Sequence, residues 1–311
     1  MNVTSTKRAL GWTKYVVKRV VRAHLSPKVE PMDGARGNAI VRHALCGGSP
    51  FLAGRVGSTE LRSYLHVNGF AYDPKVAKQL ERLSGIYPPS WQNLKLFARL
   101  LEDSIREVDA LAVFGWNNED KVVELLHDGA HVVPPKTLEP YFYPGEGWWH
   151  ELGGKRLLIV NSIASELRAR FTVDTLNRLW PHENGKVNSI IPSEIHIIDA
   201  PYGWDATQQH RFATFQYLLD NIKLQVEKID FDIALVACGG YGLPLAAWIK
   251  QRGKQVIHLG GVIQVWGGFK GARFETLVPW KHIINEHWIP YPDKKIPTDR
   301  SHAEGDYWQR A

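Results

Sequence analysis

With 311 residues, 44% of them apolar and 23% charged, the chain has the size and make-up of one large or two small water-soluble globular units. Its two cysteines, Cys46 and Cys238, have no metal-type spacing, which excludes a disulfide framework and a cysteine-based zinc site and points to a reducing compartment. A net charge of +6 favours an anionic partner, and no apolar run reaches the ~18 residues of a membrane span.

The chain opens with a basic segment. Residues 7–25 carry Lys7, Arg8, Lys14, Lys18, Arg19 and Arg22 with no acidic residue, and Trp12, Val16, Val17, Val20 and Val21 fall on one helical face. This pattern predicts an amphipathic helix suited to an anionic membrane surface, or else a packing or dimer element. It has neither the continuous apolar stretch nor the small-residue cleavage site of a signal peptide. Ser26 to Gly34, with two prolines, reads as a linker. The expected organisation is therefore an arm and linker at 1–30 and a folded unit at 31–311.

Phe51 to Gly54 is a short apolar strand followed by Arg55-Val-Gly57-Ser-Thr-Glu60 and a helix through Tyr64. Ser58 or Thr59 suits the cap, and Glu60 in the first turn suits the helix dipole. Helices are expected at 75–84 and 92–107, then a strand at 110–114 ending in Gly115-Trp116-Asn117-Asn118, and a strand from His131 to Val133. The loop PPKTLEPYFYPGEGWW, rich in proline and aromatics, reads as a site rim or an ordered surface loop.

The strand Arg156 to Val160 ends in Asn161-Ser162 and precedes a helix from Ala164 to about Trp180. Ile195 to Ile198 ends in Asp199, with a long helix to follow, reaching about Lys228. Ile233 to Ala237 is apolar at every position, as a strand covered on both faces should be. It runs into Gly239, Gly240, Tyr241 and Gly242, then a helix from Pro244 to Arg252 closed by Gly253, then a strand from Gln255 to Leu259. Gly260 and Gly261 follow, then Gln264, and a third glycine cluster brackets Lys270 and Arg273.

Seven strands alternating with helices predict an α/β fold, a mostly parallel sheet with helices on both faces. Ligands of such sheets bind beyond the carboxyl ends of the strands. Glycine loops there let backbone N–H groups approach a phosphate, and Lys270 with Arg273 add charge for a diphosphate. The candidate anion-binding set is thus Arg55, Gly57, Gly239, Gly240, Tyr241, His258, Gly260, Gly261, Gln264, Lys270 and Arg273. Gly240-Tyr-Gly242 is only a fragment of the dinucleotide fingerprint, with Leu245 at the third glycine and His258 where a ribose-binding acid belongs, and no P-loop occurs. A different nucleotide is the better fit.

Two further segments carry a resemblance. The unit VACGGYGLPLAAWIKQRGKQVIHLGGVIQVWGGFKGARF and the tail NEHW…EGDYW resemble the ending of a bacterial family of GT-D-type glycosyltransferases, long carried as a domain of unknown function. Arg55-Val-Gly57-Ser-Thr-Glu60 is similar to that family's R-x-G-D-G-E stretch, with Ser58 at the aspartate and Thr59 at the second glycine. The resemblance spans roughly residues 50–308. It implies a Rossmann-like domain that moves a sugar from a UDP-sugar, with inversion, to a glycan or lipid-linked acceptor in surface polysaccharide synthesis. It also implies a manganese or magnesium ion at the Asp-x-Glu motif, of which only Glu60 remains here. One carboxylate is a thin site for a hard cation.

Inverting transfer needs a base for the acceptor hydroxyl. Glu60 ranks first, with Glu286 and Asp199 behind it and His258 and His196 as non-carboxylate candidates. The expected location is cytoplasmic, peripheral at the inner face of the membrane. The alternative is a non-catalytic nucleotide-sugar-binding protein or scaffold, motivated by Ser58. No nucleic acid is expected as partner, because the basic residues gather in the arm and the glycine unit.

Overall fold

The computed structural model describes residues 31–183, 185–201 and 211–292. The basic arm of residues 1–30, most of the loop after Pro201 and the tail beyond Pro292 lie outside the described residues.

Seven strands form one parallel sheet: β1 (Phe51–Arg55), β2 (Ala110–Ala112), β3 (His131–Val133), β4 (Arg156–Asn161), β5 (Glu194–Asp199), β6 (Ile233–Ala237) and β7 (Gln255–His258). Their order across the sheet is β3-β2-β1-β7-β6-β4-β5. Every pairing is parallel, with Ala53 opposite Ala110 and Ile257, and Leu235 opposite Ile159 and Ile257. The predicted strand spans therefore hold to within a residue or two.

Side chains alternate between two cores, as the period of two requires. Phe51, Ala53, Ala110, Leu157, Ile159, Ile233, Leu235 and Ile257 feed one core. Leu52, Leu111, Leu158, Val160, Ala234, Val236 and Val256 feed the other. The second core is closed by the helices Ser58–Val67, Val76–Ser84, Trp91–Arg106, Phe215–Val226 and Gly242–Gln251. The first is closed by the helix Gly34–Gly47, the segment 134–152, the helices Ala164–Arg170 and Val173–Leu179, and the chain after β7.

Several local expectations are corrected. The helix Gly34–Gly47 was hidden by its glycine-rich start; Asp33 Oδ2 caps it by accepting from Ala35 N at 3.1 Å and Arg36 N at 3.3 Å. The single helix expected over 164–180 is two, because Thr172 is extended and its hydroxyl caps a new helix at Thr175 N. Likewise the helix ending near Lys228 is Phe215–Val226, opened by the extended Thr214. The aromatic loop is neither rim nor surface throughout: Trp148 and Trp149 are 0% and 1% exposed and pack against Trp266 and Trp180. A second, two-stranded parallel sheet, β8 (Phe269–Lys270) with β9 (Ile289–Pro290), pins the start of the tail over this core. Trp288 and Tyr291 are buried beside it.

Most tryptophans described here thus serve packing. Among the described residues no helix is long and apolar enough to cross a membrane. Leu235 sits on a central strand with no exposed surface. Leu235→Ala should lower stability by about 2–5 kcal/mol through lost transfer energy and a residual cavity, read as a reduced urea midpoint at unchanged slope.

Candidate functional site

The chain leaves β1 toward one core, where Leu61, Tyr64 and Leu65 pack, and leaves the adjacent β7 toward the other, where Val262 and Ile263 pack. Adjacent strands whose exits diverge open a crevice at their carboxyl ends. Arg55 ends β1 in this crevice, and beside it His258 ends β7 and Gly260 and Gly261 follow.

Arg55 is held from several sides. Its guanidinium carbon lies 4.5 Å from the centre of the Phe114 ring, which itself stacks on Trp116 with centroids 4.4 Å apart and planes 7° apart. The turn that presents these rings is tied by Glu119. Its carboxylate accepts from Phe114 N (3.0 and 2.9 Å) and Trp116 N (2.9 Å). Burial raises the Glu119 carboxyl above its ordinary range, outweighing the lowering by these backbone donors and by the charge of Arg55.

Gly260 has φ +59°, and a Cβ there would come within 3.3 Å of Arg55 Nε. Glycine at this position serves both a left-handed turn and the passage of the arginine. His258 Nδ1 lies 3.0 Å from the carbonyl oxygen of Arg55 and donates to it, since that oxygen only accepts. The side chain lies between Gly54 and Gly242, where a Cβ would meet its Cβ at 3.2 Å and its ring Nε2 at 2.7 Å. Burial and the neighbouring Arg55 charge drive its pKa down to about 3, so it stays neutral and acts as a wedge and strand clamp.

Glu139, after β3, is the group that the sequence did not single out. It is 5% exposed, and its Oε2 accepts from Tyr141 Oη and from Trp280 Nε1, each at 2.8 Å. Burial pushes its carboxyl up to about 7, against those two donors and the charges of Arg55 and Arg273. Two guanidinium groups thus bear on one buried carboxyl; Arg273 lies 5.9 Å from the Trp280 ring centre and comes from the chain after β7. The signals that would have found these groups were the carboxylates in WNNED and KTLEPY, each a few residues past a strand end.

Glu60 starts the helix Ser58–Val67, whose cap is the extended Gly57, not Ser58 or Thr59. A Cβ at Gly57 would sit 2.1 Å from Glu60 Oε2, so the carboxylate curls back over that glycine at the helix N-terminus. Ser58 is exposed and Thr59 buried.

The structure therefore brings Arg55, Gly57, Glu60, His258, Gly260, Gly261 and Arg273 to one crevice, and separates the rest. Asp199 ends the edge strand β5, four strands from β1, roughly 19 Å at the usual interstrand spacing, where Ser165 Oγ donates to it at 3.3 Å. His196 lies within the same edge strand beside Glu194. Glu286 is 81% exposed and paired with His287, on a turn fixed by Asn285 to the carbonyls of Arg178 and Leu179.

Gly239, Gly240 and Tyr241 line no open anion cradle. A Cβ at Gly239 (φ +74°) would meet Ser84 O at 2.8 Å, and one at Gly240 would meet Ser84 Cβ at 3.0 Å. Tyr241 Oη donates to Pro201 O at 2.7 Å and the ring is buried. These glycines let the end of the helix Val76–Ser84 close over the loop. Gln264 is 1% exposed with Nε2 3.5 Å from Phe269 O, inside the packing of β8. Lys270 lies on β8, half-buried, and Gly268 there gives way to Leu179.

Among the described residues no group of three His, Cys, Asp or Glu is placed to hold a metal ion. At the motif position the donors are Glu60 alone with Ser58 and Thr59 hydroxyls. That set does not fit a resident divalent cation.

A carboxyl raised to about 7 in the fold and near 4.5 when unfolded binds its proton more tightly in the native state. Its contribution is full below the unfolded value and is lost as pH rises through about 7. Wild type should therefore lose up to roughly 3 kcal/mol between about pH 4.5 and pH 7.5 from this group alone. Glu139→Gln, which keeps an acceptor for Tyr141 and Trp280, should flatten that slope in urea titrations run at several pH values. An unchanged slope would show that Glu139 ionises normally.

No protein-family profile and no curated protein matches the chain. Two solved structures are similar to it at low TM-score. One, described as "The highly conserved domain of unknown function 1792 has a distinct glycosyltransferase fold", is 15% identical at a TM-score of 0.40, over 88% of this chain and 95% of that one. The other, the selenomethionine-substituted structure of domain of unknown function 1792, is 13% identical at a TM-score of 0.39 over the same shares.

Proposed function

We propose that the chain is a glycosyltransferase whose donor, a nucleoside-diphosphate sugar of the UDP type, is held in the β1/β7 crevice. The observation that carries this reading is the Arg55 guanidinium at the end of β1, held 4.5 Å from the Phe114 ring and against the Gly260 turn, with Arg273 also close enough to pull the buried Glu139 carboxyl down. A diphosphate is a better partner for two guanidiniums than one half-protonated carboxyl, because it accepts paired charge-assisted bonds. The stacked Phe114 and Trp116 rings offer an aromatic face beside Arg55 for the base or sugar. The motif likeness of Arg55-Val-Gly57-Ser-Thr-Glu60 supports the same assignment.

In this reading the acceptor hydroxyl attacks the anomeric carbon from the face opposite the leaving diphosphate. The anomeric C–O bond to phosphate breaks, its electron pair leaves with the nucleoside diphosphate, and Glu60 takes the hydroxyl proton. Arg55 and Arg273 offset the charge that develops on the leaving oxygens. No step is routed through a divalent ion. The acceptor is a glycan or lipid-linked chain of a bacterial surface polysaccharide, met at the inner face of the membrane.

The second reading, a nucleotide-sugar sensor without turnover, is favoured by Ser58 at the position of the motif aspartate. The two part on a single measurement, UDP release from UDP-sugar with acceptor extract above the rate without protein.

Arg55→Ala and Arg273→Ala should each weaken calorimetric binding of UDP by roughly 10- to 100-fold, the worth of a charge-assisted phosphate contact. Affinity unchanged in both would remove the diphosphate from this crevice. Glu60→Gln should keep the melting temperature within a few degrees while UDP release falls roughly 100-fold or more. Near-normal turnover would reduce Glu60 to a helix-end carboxylate.

A further inference from the structure

A surface outside the crevice stands apart from the rest. Phe70, Tyr72 and Trp91 are 47%, 82% and 52% exposed, although each is a large aromatic side chain. They are gathered in one place: His66 lies 5.6 Å from the Tyr72 ring and 5.8 Å from the Trp91 ring, and Phe70 packs on Tyr64 at 6.4 Å. Asp73 N donates to His66 Nδ1 at 3.0 Å, which fixes the turn that displays them. Only Phe70 touches a core residue, Tyr64, and none of the three rings is itself buried. A grouped set of exposed aromatics on a water-soluble chain marks a contact surface.

The charge around the rings names the partner. Over residues 62–99, Arg62, Lys75, Lys78, Arg82, Lys95 and Arg99 stand against only Asp73 and Glu81, and all six basic side chains are exposed. Residues 31–311 as a whole carry equal numbers of acidic and basic residues, so this excess of four is local to the patch. Lys95 Nζ lies 5.8 Å from the Trp91 ring, so a cation borders the aromatics directly, whereas Lys121 Nζ, 5.8 Å from the Phe70 ring, is paired with Asp120 and Glu124. Tyr72 and Trp91 stand tilted and edge-on to His66, at 47° and 87°. Projecting tryptophan and tyrosine with a rim of lysine and arginine is the composition that settles at the headgroup level of an anionic bilayer.

We propose that Phe70, Tyr72 and Trp91, with their lysine and arginine rim, form a docking surface for the interface of an anionic phospholipid bilayer. It belongs to the folded unit and is separate from the basic arm of residues 1–30. The helix Ser58–Val67 runs from Glu60 to this surface, and Lys121 follows Glu119 by two residues, so docking holds the β1/β7 crevice next to the membrane. The surface does not depend on the proposed sugar transfer.

The test uses the full chain with a bimane label at Tyr72→Cys in a Cys46→Ser background; Cys238 is buried and does not label. Vesicles of phosphatidylglycerol with phosphatidylcholine, carrying nitroxide lipids, should quench the label, and phosphatidylcholine alone should not. Phe70→Ser with Trp91→Ser should lower sedimentation with the anionic vesicles roughly tenfold. A label that stays unquenched overturns the proposal even if the protein sediments, because the arm alone then holds the membrane. Self-association of the unlabelled chain that is lost in the double serine variant would assign the patch to a second copy and likewise overturn it. Vesicle binding unaffected by those serines, with the variant folded by circular dichroism, would do the same.

Discussion

A parallel strand covered on both faces has no place for charge except at its ends, and this constraint organises the molecule. From Leu52 to Gly54, Leu157 to Val160, Ile233 to Ala237 and Val256 to Ile257 every residue is buried. Charged and polar side chains are therefore expelled to the strand termini. At the amino end, Asp232 meets Arg156, whose guanidinium holds the Asp232 carboxyl down at about 2. At the carboxyl end of β1 the expelled charge is Arg55, and the crevice forms around it.

The surroundings of Arg55 are an electrostatic compromise. A guanidinium at the mouth of a parallel sheet needs partners, and the fold supplies an aromatic face, a carboxylate locked by backbone donors and a second carboxyl sunk behind Tyr141 and Trp280. Glu139 is too buried to be comfortable as an anion and too close to two guanidiniums to be indifferent to them.

Glycine does three different jobs in this chain, and residue type alone does not separate them. Gly260 is a turn that lets an arginine through; Gly239 and Gly240 are spaces into which Ser84 and Ile86 settle; Gly268 yields to Leu179. Each has the same absence of Cβ as its cause. Only the first lies against Arg55, so the phosphate reading of the β6 turn gives way to a packing one.

The local pattern determined most of the architecture. Apolar runs of four to six residues bounded by glycine and polar residues located the strands, and the lengths between them required parallel crossovers. Caps and breaks at Thr172 and Thr214 were written in ordinary threonines that also fit a helix interior, so their effect appeared only when the chain turned. Arg55, Gly57 and Glu60 were legible as a strand end followed by a helix start. Glu139 and Glu119 were not, because their importance comes from burial and from Arg55, 84 and 64 residues earlier in the chain, a relation that no local spacing encodes. The same holds in reverse for Asp199. It ends a strand as Arg55 does, and only the strand order, with three strands between one position and the other, put it out of reach.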